Sequence, residues 1–326
     1  MKAFVTGATG FVGSHLVDRL IEKGIEPYCL KRKTSNTRWL DGKSVKYVEG
    51  DLFSNEALEE VIKDMNYVFH VAGVVKSKNK EGYVKGNHLA TKNLLEITKK
   101  VNPGIKKFVH ISSLAVCGPT PKGVAIDETY EPKPMTTYGV TKLEAEKEVM
   151  KHKDEMNVTI IRPPAVYGPR DTEILIYFQT FKKGLNSLIG FGEKYLSLSY
   201  VKELVDGIVL AAEKEESNGQ TYFISSDKSY NWDEIGSITS TILNRKSLKL
   251  RLPHFFVFSV GYMAEFFGKV TNKAVTLNVE KVKDITAAAW VCSNEKAKKE
   301  LGYKPALSLE EGFKETAEWY TKEGWL

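Results

Sequence analysis

The sequence predicts an α/β protein: a doubly wound parallel sheet with a smaller C-terminal region interleaved with it. Three observations lead there. Short β-rich runs alternate with helical patterns through the first half, a glycine-rich turn joins the first strand to the first helix, and the alternation breaks from about Arg162. Such alternation implies right-handed crossovers, with helices covering both faces of the sheet.

Lys2–Thr6 is a short apolar strand that runs into the glycine turn. Phe11–Glu22 then places Phe11, Val12, Leu16, Leu20 and Ile21 at helical spacing, and Gly24 stops that helix. Tyr28–Leu30, Val45–Val48, Tyr67–Val71, Phe108–Ile111 and Val158–Ile161 read as further strands. Helical patterns over Asn55–Lys63, His88–Lys100 and Tyr138–Lys151 separate most of them. Pro163, Pro164, Gly168 and Pro169 form a rigid turn cluster. Beyond it come helical segments over Ile174–Lys183, Val201–Glu213, Trp232–Leu243 and Glu310–Tyr320, with short extended runs between them. No flexible linker intervenes. The expected division is therefore 1–165 for a dinucleotide-binding region and 166–326 for a substrate-binding region partly interleaved with it.

Composition removes several classes of protein. With 326 residues, 42% of them hydrophobic, the chain can bury a sizeable core, which excludes disorder, collagen-like repeats and a disulfide scaffold. A net charge of +6 does not by itself indicate a nucleic-acid partner. Cys29, Cys117 and Cys292 are odd in number and far apart, and the histidines show no ligand spacing, so no metal is expected. The greasiest stretch, Phe255–Phe267, is broken by Ser259, Gly261 and Glu265, whereas a spanning helix needs roughly 20 apolar residues. With no secretory leader read before Lys2, a cytoplasmic protein without an integral membrane segment is expected. Lys76, Lys78 and Lys80 read as a solvated loop.

Thr6-Gly7-Ala8-Thr9-Gly10-Phe11-Val12-Gly13 lies between strand and helix. Gly7 suits the tight turn, Gly10 lets a pyrophosphate approach the backbone, and Gly13 permits close packing of helix on strand. The helix N-terminus offers N–H groups and a positive dipole end. After the second strand, where NAD sites usually place an acid, Lys31-Arg32-Lys33 stand instead. Cations cannot accept from ribose hydroxyls but can bind a 2′-phosphate, so NADP is preferred to NAD.

At this point the chain resembles a known family, the extended short-chain dehydrogenase/reductases, also called NAD-dependent epimerase/dehydratases. The landmarks arrive in order: TGATGFVG at 6–13, GDL at 50–52, HVAG at 70–73, Asn87, SSLAVCG at 112–118, YGVTK at 138–142 and RPPAVYGP at 162–169. The resemblance implies a Rossmann-type fold in which Gly7, Thr9, Gly10, Phe11, Val12 and Gly13 hold the cofactor. It places Asp51 and Leu52 at the adenine, Val71, Ala72 and Gly73 beside the ribose, and Pro164 among the cofactor contacts. Asn87 would support the active-site helix and a proton path. A homodimer through the helices over His88–Lys100 and Tyr138–Lys151 is also implied.

Tyr138 and Lys142 are four apart and share a helix face. A phenol titrates near 10, so service as a base near pH 7 requires stabilising the phenolate by roughly 4 kcal/mol. A nearby ammonium does this, and the charge of an oxidised nicotinamide adds to it. Lys142 could also bind the nicotinamide ribose. By the resemblance, Ser113 is the hydroxyl that holds the substrate oxygen while Tyr138 exchanges the proton, with Ser112 buried or structural. Cys117 departs from the family's usual tyrosine and reads as packing.

Substrate signals are fewer. Ala165 stands where nucleotide-sugar enzymes of the family typically carry Asn, and Leu114-Ala115 replace the Asp-Glu of dehydratases. The string at 163–171 instead resembles the branch with 3β-hydroxysteroid dehydrogenase-like and dihydroflavonol-reductase-like proteins. The expected activity is reversible hydride transfer at a carbinol or ketone carbon of a hydrophobic or ring-bearing small molecule. The alternatives are a nucleotide-sugar 4-epimerase with tightly held NAD and, from another class, a non-catalytic dinucleotide-sensing scaffold. Phe255, Phe256, Phe258, Tyr262, Met263, Phe266 and Phe267 are read as buried core ahead of a pocket lining, with a membrane-surface role weaker still because no basic amphipathic face accompanies them.

Overall fold

Strands β1 (Lys2–Thr6), β2 (Glu26–Lys31), β3 (Lys46–Glu49), β4 (Tyr67–His70), β5 (Lys107–Ile111) and β6 (Val158–Arg162) arise in the first half of the chain. After β7 (Ala165–Tyr167), β8 (Leu185–Ile189) and β9 (Tyr195–Tyr200), β10 (Gln220–Phe223) returns to pair in parallel with β6. The result is one parallel sheet of seven strands, ordered β10-β6-β5-β4-β1-β2-β3. These assignments come from a computed structural model that describes residues 1–271, 275 and 278–326.

The central strands β4, β5 and β6 are buried along their whole length, as a parallel sheet covered on both faces requires. Helix α1 (Phe11–Glu22) seats Leu16, Val17 and Leu20 on one face. On the other face lie α2 (Asn55–Ile62), then the short α3 (Lys80–Tyr83), α4 (Ala90–Val101) and α5 (Thr137–Lys151). Leu58, Leu94, Leu95 and Val149 fill that side with Phe4, Val68 and Phe108 of the sheet.

The remaining chain forms a cap at the C-terminal end of the sheet. It holds α6 (Glu173–Lys182), α7 (Val201–Glu213), β11 (Ser229–Asn231), α8 (Trp232–Ile242), β12 (Leu248–Leu252), α9 (His254–Thr271), α10 (Val279–Thr286), β13 (Ala289–Trp290) and α11 (Leu309–Lys322). Helix α7 is the exception, since Leu204 and Ile208 pack with α1 under the main sheet. Tyr167, Phe178, Tyr200, Phe313 and Tyr320 fuse the cap around an aromatic core. His15 of α1 meets the Pro169 carbonyl at 2.8 Å and ties the turn cluster back to the sheet.

Two differences from the sequence reading have physical causes. The helix expected from His88 begins at Lys80 and passes through a π-helical segment, Val84–Leu89, before α4. Its two glycines hid it. A Cβ on Gly82 would meet Ser77 Oγ at 2.0 Å and one on Gly86 would meet Val74 Cγ2 at 2.2 Å, so the loop after β4 lies directly on the helix.

The second difference is a correction. The aromatic stretch around Phe255–Phe267 is not core. In α9, Val257, Gly261 and Gly268 are buried, while Phe255, Phe256, Tyr262, Met263, Phe266 and Phe267 are exposed. Gly261 explains the orientation: a Cβ there would stand 2.6 Å from Val282 Cγ2, so α9 lies close against α10 through its small residues.

Candidate active site

The sheet order reverses between β1 and β4, and the crevice at their carboxyl ends is where ligands bind in open α/β sheets. Gly7 turns the chain there with φ +70°, and a Cβ on it would stand 2.7 Å from the Ala72 nitrogen. A Cβ on Gly13 would stand 2.1 Å from the Gly7 carbonyl, so helix and turn are in backbone contact. Gly10 differs: only the Gly7 oxygen, at 3.2 Å, lies near its missing side chain, and α1 has no side-chain cap. This open, uncapped N-terminus fits a diphosphate. Thr9 and Phe11 are half-buried beside it, Phe11 edge-on to His15, and Val12 packs against the core.

The cations after β2 are not equivalent. Lys31 sits opposite Glu49 in the β2–β3 register, and its ammonium lies 3.6 Å from that carboxylate; Lys33 approaches the other oxygen at 3.8 Å. Arg32 is exposed, with no ion-pair partner among the described residues. Glu49 was missed in the sequence because it precedes the glycine-aspartate landmark. Asp51, in an exposed turn, accepts from the Phe53 N–H at 2.8 Å and the Ser54 hydroxyl at 3.2 Å through one carboxylate oxygen. Leu52 packs on the core, and its carbonyl receives Asn93 at 2.8 Å.

Thr6 links the first and fourth strand ends, touching His70 Nδ1 at 2.8 Å and accepting from the Ala72 N–H at 3.2 Å. Val71, Ala72 and Gly73 follow. Asn87, fully buried, accepts from the Val74 N–H at 2.7 Å and donates to the Val74 carbonyl and to Thr141 Oγ1, each at 3.1 Å. It therefore locks the loop after β4 to the helix that carries Lys142.

Helix α5 begins at the sheet mouth, where Thr136 caps it by accepting from the Gly139 N–H at 3.1 Å. Gly139 lets it start there, since a Cβ would stand 2.5 Å from the Ala115 carbonyl. Ser113 follows β5. Its oxygen accepts from the Ala115 N–H at 3.1 Å, and its hydroxyl is near enough to Tyr138 to favour the phenolate. Ser112 is buried behind it, and Pro164 is buried after β6. Lys142 is buried too, donating to the Ile111 carbonyl at 2.6 Å and standing 3.4 Å from His110 Nε2.

The electrostatics differ from a simple lowered phenol. Burial pushes Tyr138 up to about 12, outweighing the nearby Ser113 hydroxyl, which favours the phenolate. Burial also pulls Lys142 down to about 8, partly opposed by Glu146 one turn along. Glu146 itself forms a buried, two-pronged pair with Arg162 at 2.9 and 2.6 Å. Burial raises the Cys117 thiol to about 11, and it receives Arg162 Nη1 at 3.7 Å, so Cys117 is packing. None of Cys29, Cys117 and Cys292 is paired in a disulfide. Among the described residues no group of acids, histidines and cysteines could hold a metal.

The cap supplies walls that the sequence did not announce. Glu280 of α10 accepts from both the N–H and hydroxyl of Thr137, and Asp284 and Glu173 act electrostatically on Tyr138. Lys76, read as solvated, lies 3.6 Å from Glu173 and bridges the loop after β4 to α6.

A doubly wound sheet with an open glycine turn and a Ser–Tyr–Lys constellation at its switch point defines a dinucleotide-dependent oxidoreductase. The model of the NAD dependent epimerase/dehydratase family matches residues 3–225, and the chain belongs to that family, the extended short-chain dehydrogenase/reductases. It is 28% identical to the mouse sterol-4-alpha-carboxylate 3-dehydrogenase, decarboxylating, over 97% of this chain and 90% of that one. It is likewise 28% identical to a UDP-glucose 4-epimerase of Vibrio cholerae over 96% and 94% of the two chains. The crystal structure of gox2253 superimposes with a TM-score of 0.83 at 25% identity, over 99% of each chain.

Proposed function

We propose that the protein is an NADP(H)-preferring alcohol/ketone oxidoreductase for a hydrophobic or ring-bearing small molecule. The observation that carries this reading is the meeting of Ser113 and Tyr138 at the mouth of the sheet, where α5 starts against the Ala115 carbonyl, with Lys142 anchored one helical turn behind. Equal identity to a sterol dehydrogenase and a sugar-nucleotide epimerase does not choose between them, so the choice rests on the site. Ala165 is exposed where a sugar-nucleotide enzyme would need an amide, and Leu114 and Ala115 offer no acid for dehydration.

A bound nicotinamide supplies the hydride donor or acceptor. The chain's residues do the rest. The Ser113 hydroxyl donates to the substrate oxygen and orients it. Tyr138, held as a neutral phenol, delivers its proton to that oxygen as the carbonyl carbon is reduced, and recovers one from solvent. Lys142 stabilises the phenolate left behind and positions the cofactor ribose. Gly7, Thr9, Gly10, Phe11, Val12 and Gly13 would hold the diphosphate, Asp51 and Leu52 the adenine, and Val71, Ala72, Gly73, Asn87 and Pro164 the nicotinamide half. Arg32, with Lys31 beside it, would take the 2′-phosphate.

The division into a cofactor region, 1–165, and a substrate region, 166–326, follows from this placement. A homodimer through the α4 and α5 side is supported by Leu89 and Val140, which are exposed there. The test is to supply NADPH or NADH with a panel of hydrophobic ketones, and separately with UDP-glucose. Net oxidation of NADPH by a ketone supports the reading. Epimerisation without net redox, by protein purified with its nicotinamide bound, supports the 4-epimerase instead. Binding of dinucleotide with neither reaction leaves a sensing scaffold.

A further inference from the structure

Helix α9 has its amphipathicity inverted. At about 3.6 residues per turn, Phe255, Tyr262, Met263, Phe266 and Val270 fall on one stripe, flanked by Phe256 and Phe267. That stripe faces outward: Phe255 is 74% exposed, Phe266 64% and Val270 68%. The face toward the protein carries the small residues instead, with Gly261 closest to α10. An outward apolar face of this size on one helix marks an interaction surface.

The neighbouring ribbon states the partner's charge. Strand β12 pairs in parallel with β8 and runs through Pro253 into α9, and the His254 ring lies against Gly190 at the end of β8. Leu248 and Leu250 of the ribbon are exposed. Where Leu185 pairs with Leu248, Lys182, Lys183, Arg245 and Lys246 are all exposed, with no ion-pair partner among the described residues. Acids are scarce here. Within 244–273 the one acidic residue is Glu265, which accepts from the Val279 N–H at 3.4 Å on the protein side. A second copy would bring the same four cations and no surplus acid. An aromatic stripe beside unpaired Lys and Arg matches the interfacial layer of an anionic bilayer.

We propose that the outer face of α9, together with the β8–β12 ribbon, docks the protein peripherally on anionic lipid membranes. The helix lies in the interface and does not cross it; among the described residues no helix is long and apolar enough to do so. Glu280 of α10, the helix on which α9 packs, reaches Thr137, so the docked helix pair abuts the start of the active-site helix. The inference is independent of which substrate is turned over.

Flotation of the full chain with phosphatidylcholine vesicles, with and without phosphatidylglycerol, tests it. Wild type should float with the anionic vesicles and lose that association at high salt. A Phe255→Ser/Phe266→Ser/Phe267→Ser variant and a Lys182→Gln/Lys183→Gln/Arg245→Gln/Lys246→Gln variant should each lower the bound fraction by about tenfold or more. Retained circular dichroism and NADPH binding show that both variants are folded. Failure of wild type to float, or undiminished flotation of the aromatic variant, overturns the proposal. A wild-type oligomer that this variant splits in light scattering, without vesicle binding by either, also overturns it and shows that a second copy covers the face.

Discussion

Glu280, on a cap helix, accepts both the backbone N–H of Thr137 at 3.0 Å and its hydroxyl at 2.6 Å, one residue before Tyr138. The start of the active-site helix is therefore held from two sides. Thr136 caps it from within, and Glu280 reaches across from the cap. The cap and the position of Tyr138 are thereby mechanically joined.

Glu280→Ala should loosen this junction. Loss of two hydrogen bonds to a carboxylate predicts a stability cost of about 1–3 kcal/mol. Because Tyr138 is displaced, kcat should fall with little change in NADPH affinity. Glu280→Gln, which keeps an acceptor, should recover most of the loss. Thermal unfolding and steady-state kinetics on the three proteins decide it.

Tyr138→Phe should leave NADPH binding nearly intact and cut turnover by roughly 100-fold to 10,000-fold, the usual weight of a positioned acid. Turnover at the wild-type level would remove Tyr138 from the mechanism.

The alkaline limb of activity should belong to Lys142. In the free enzyme its ammonium, held down to about 8 by burial, is lost as the pH rises through that value, while Tyr138 keeps its proton to about 12. Carbonyl reduction, followed as kcat/KM, should therefore decline above about pH 8, far below the titration of the phenol. Lys142→Arg should move the limb upward. A limb unmoved by that change contradicts the assignment.

Three buried histidines set an acid stability limit. Burial lowers His15 to about 4, His70 to about 3 and His110 well below its usual value. Below about pH 6.5 the unfolded chain binds protons at these sites and the folded chain does not, so stability falls as pH falls from there toward 4. Each site contributes up to about 1.4 kcal/mol per pH unit. Urea unfolding at stepped pH measures the slope, and His15→Gln should make it shallower by about one proton.

Arg32→Ala should weaken NADPH without weakening NADH, because Lys31 and Lys33 both lean on Glu49. Glu49→Gln should strengthen NADPH by releasing them. Titration of cofactor fluorescence on the three proteins reads this directly; equal losses for both cofactors in Arg32→Ala would contradict it.

The doubly wound fold was readable because its signals are local. Helix α1 and strand β1 have the same limits by apolar spacing and by structure. The glycine turn, Ser113, Tyr138 and Lys142 lie where the sequence put them, each at a strand end or on a helix face. Contacts between distant segments had no such signal. Glu280 with Thr137 and Lys76 with Glu173 join segments that only the cap's folding brings together, and Lys31 meets Glu49 only once β2 and β3 pair in register. His70 and His110, with ring centroids 5.3 Å apart behind Lys142, lay inside strands that already read as apolar. The α9 aromatics misled for the opposite reason. Periodicity reports how apolar a helix is, and here Gly261 and Val282 decided which side faces the protein.

The most direct test of the central claim is net consumption of NADPH with a hydrophobic ketone, followed in wild type and Tyr138→Phe side by side. Stoichiometric NADPH loss matched by alcohol formed, abolished or nearly so in the variant, is the predicted result. Interconversion of UDP-sugars by a protein that keeps its nicotinamide and consumes no added NADPH would contradict it.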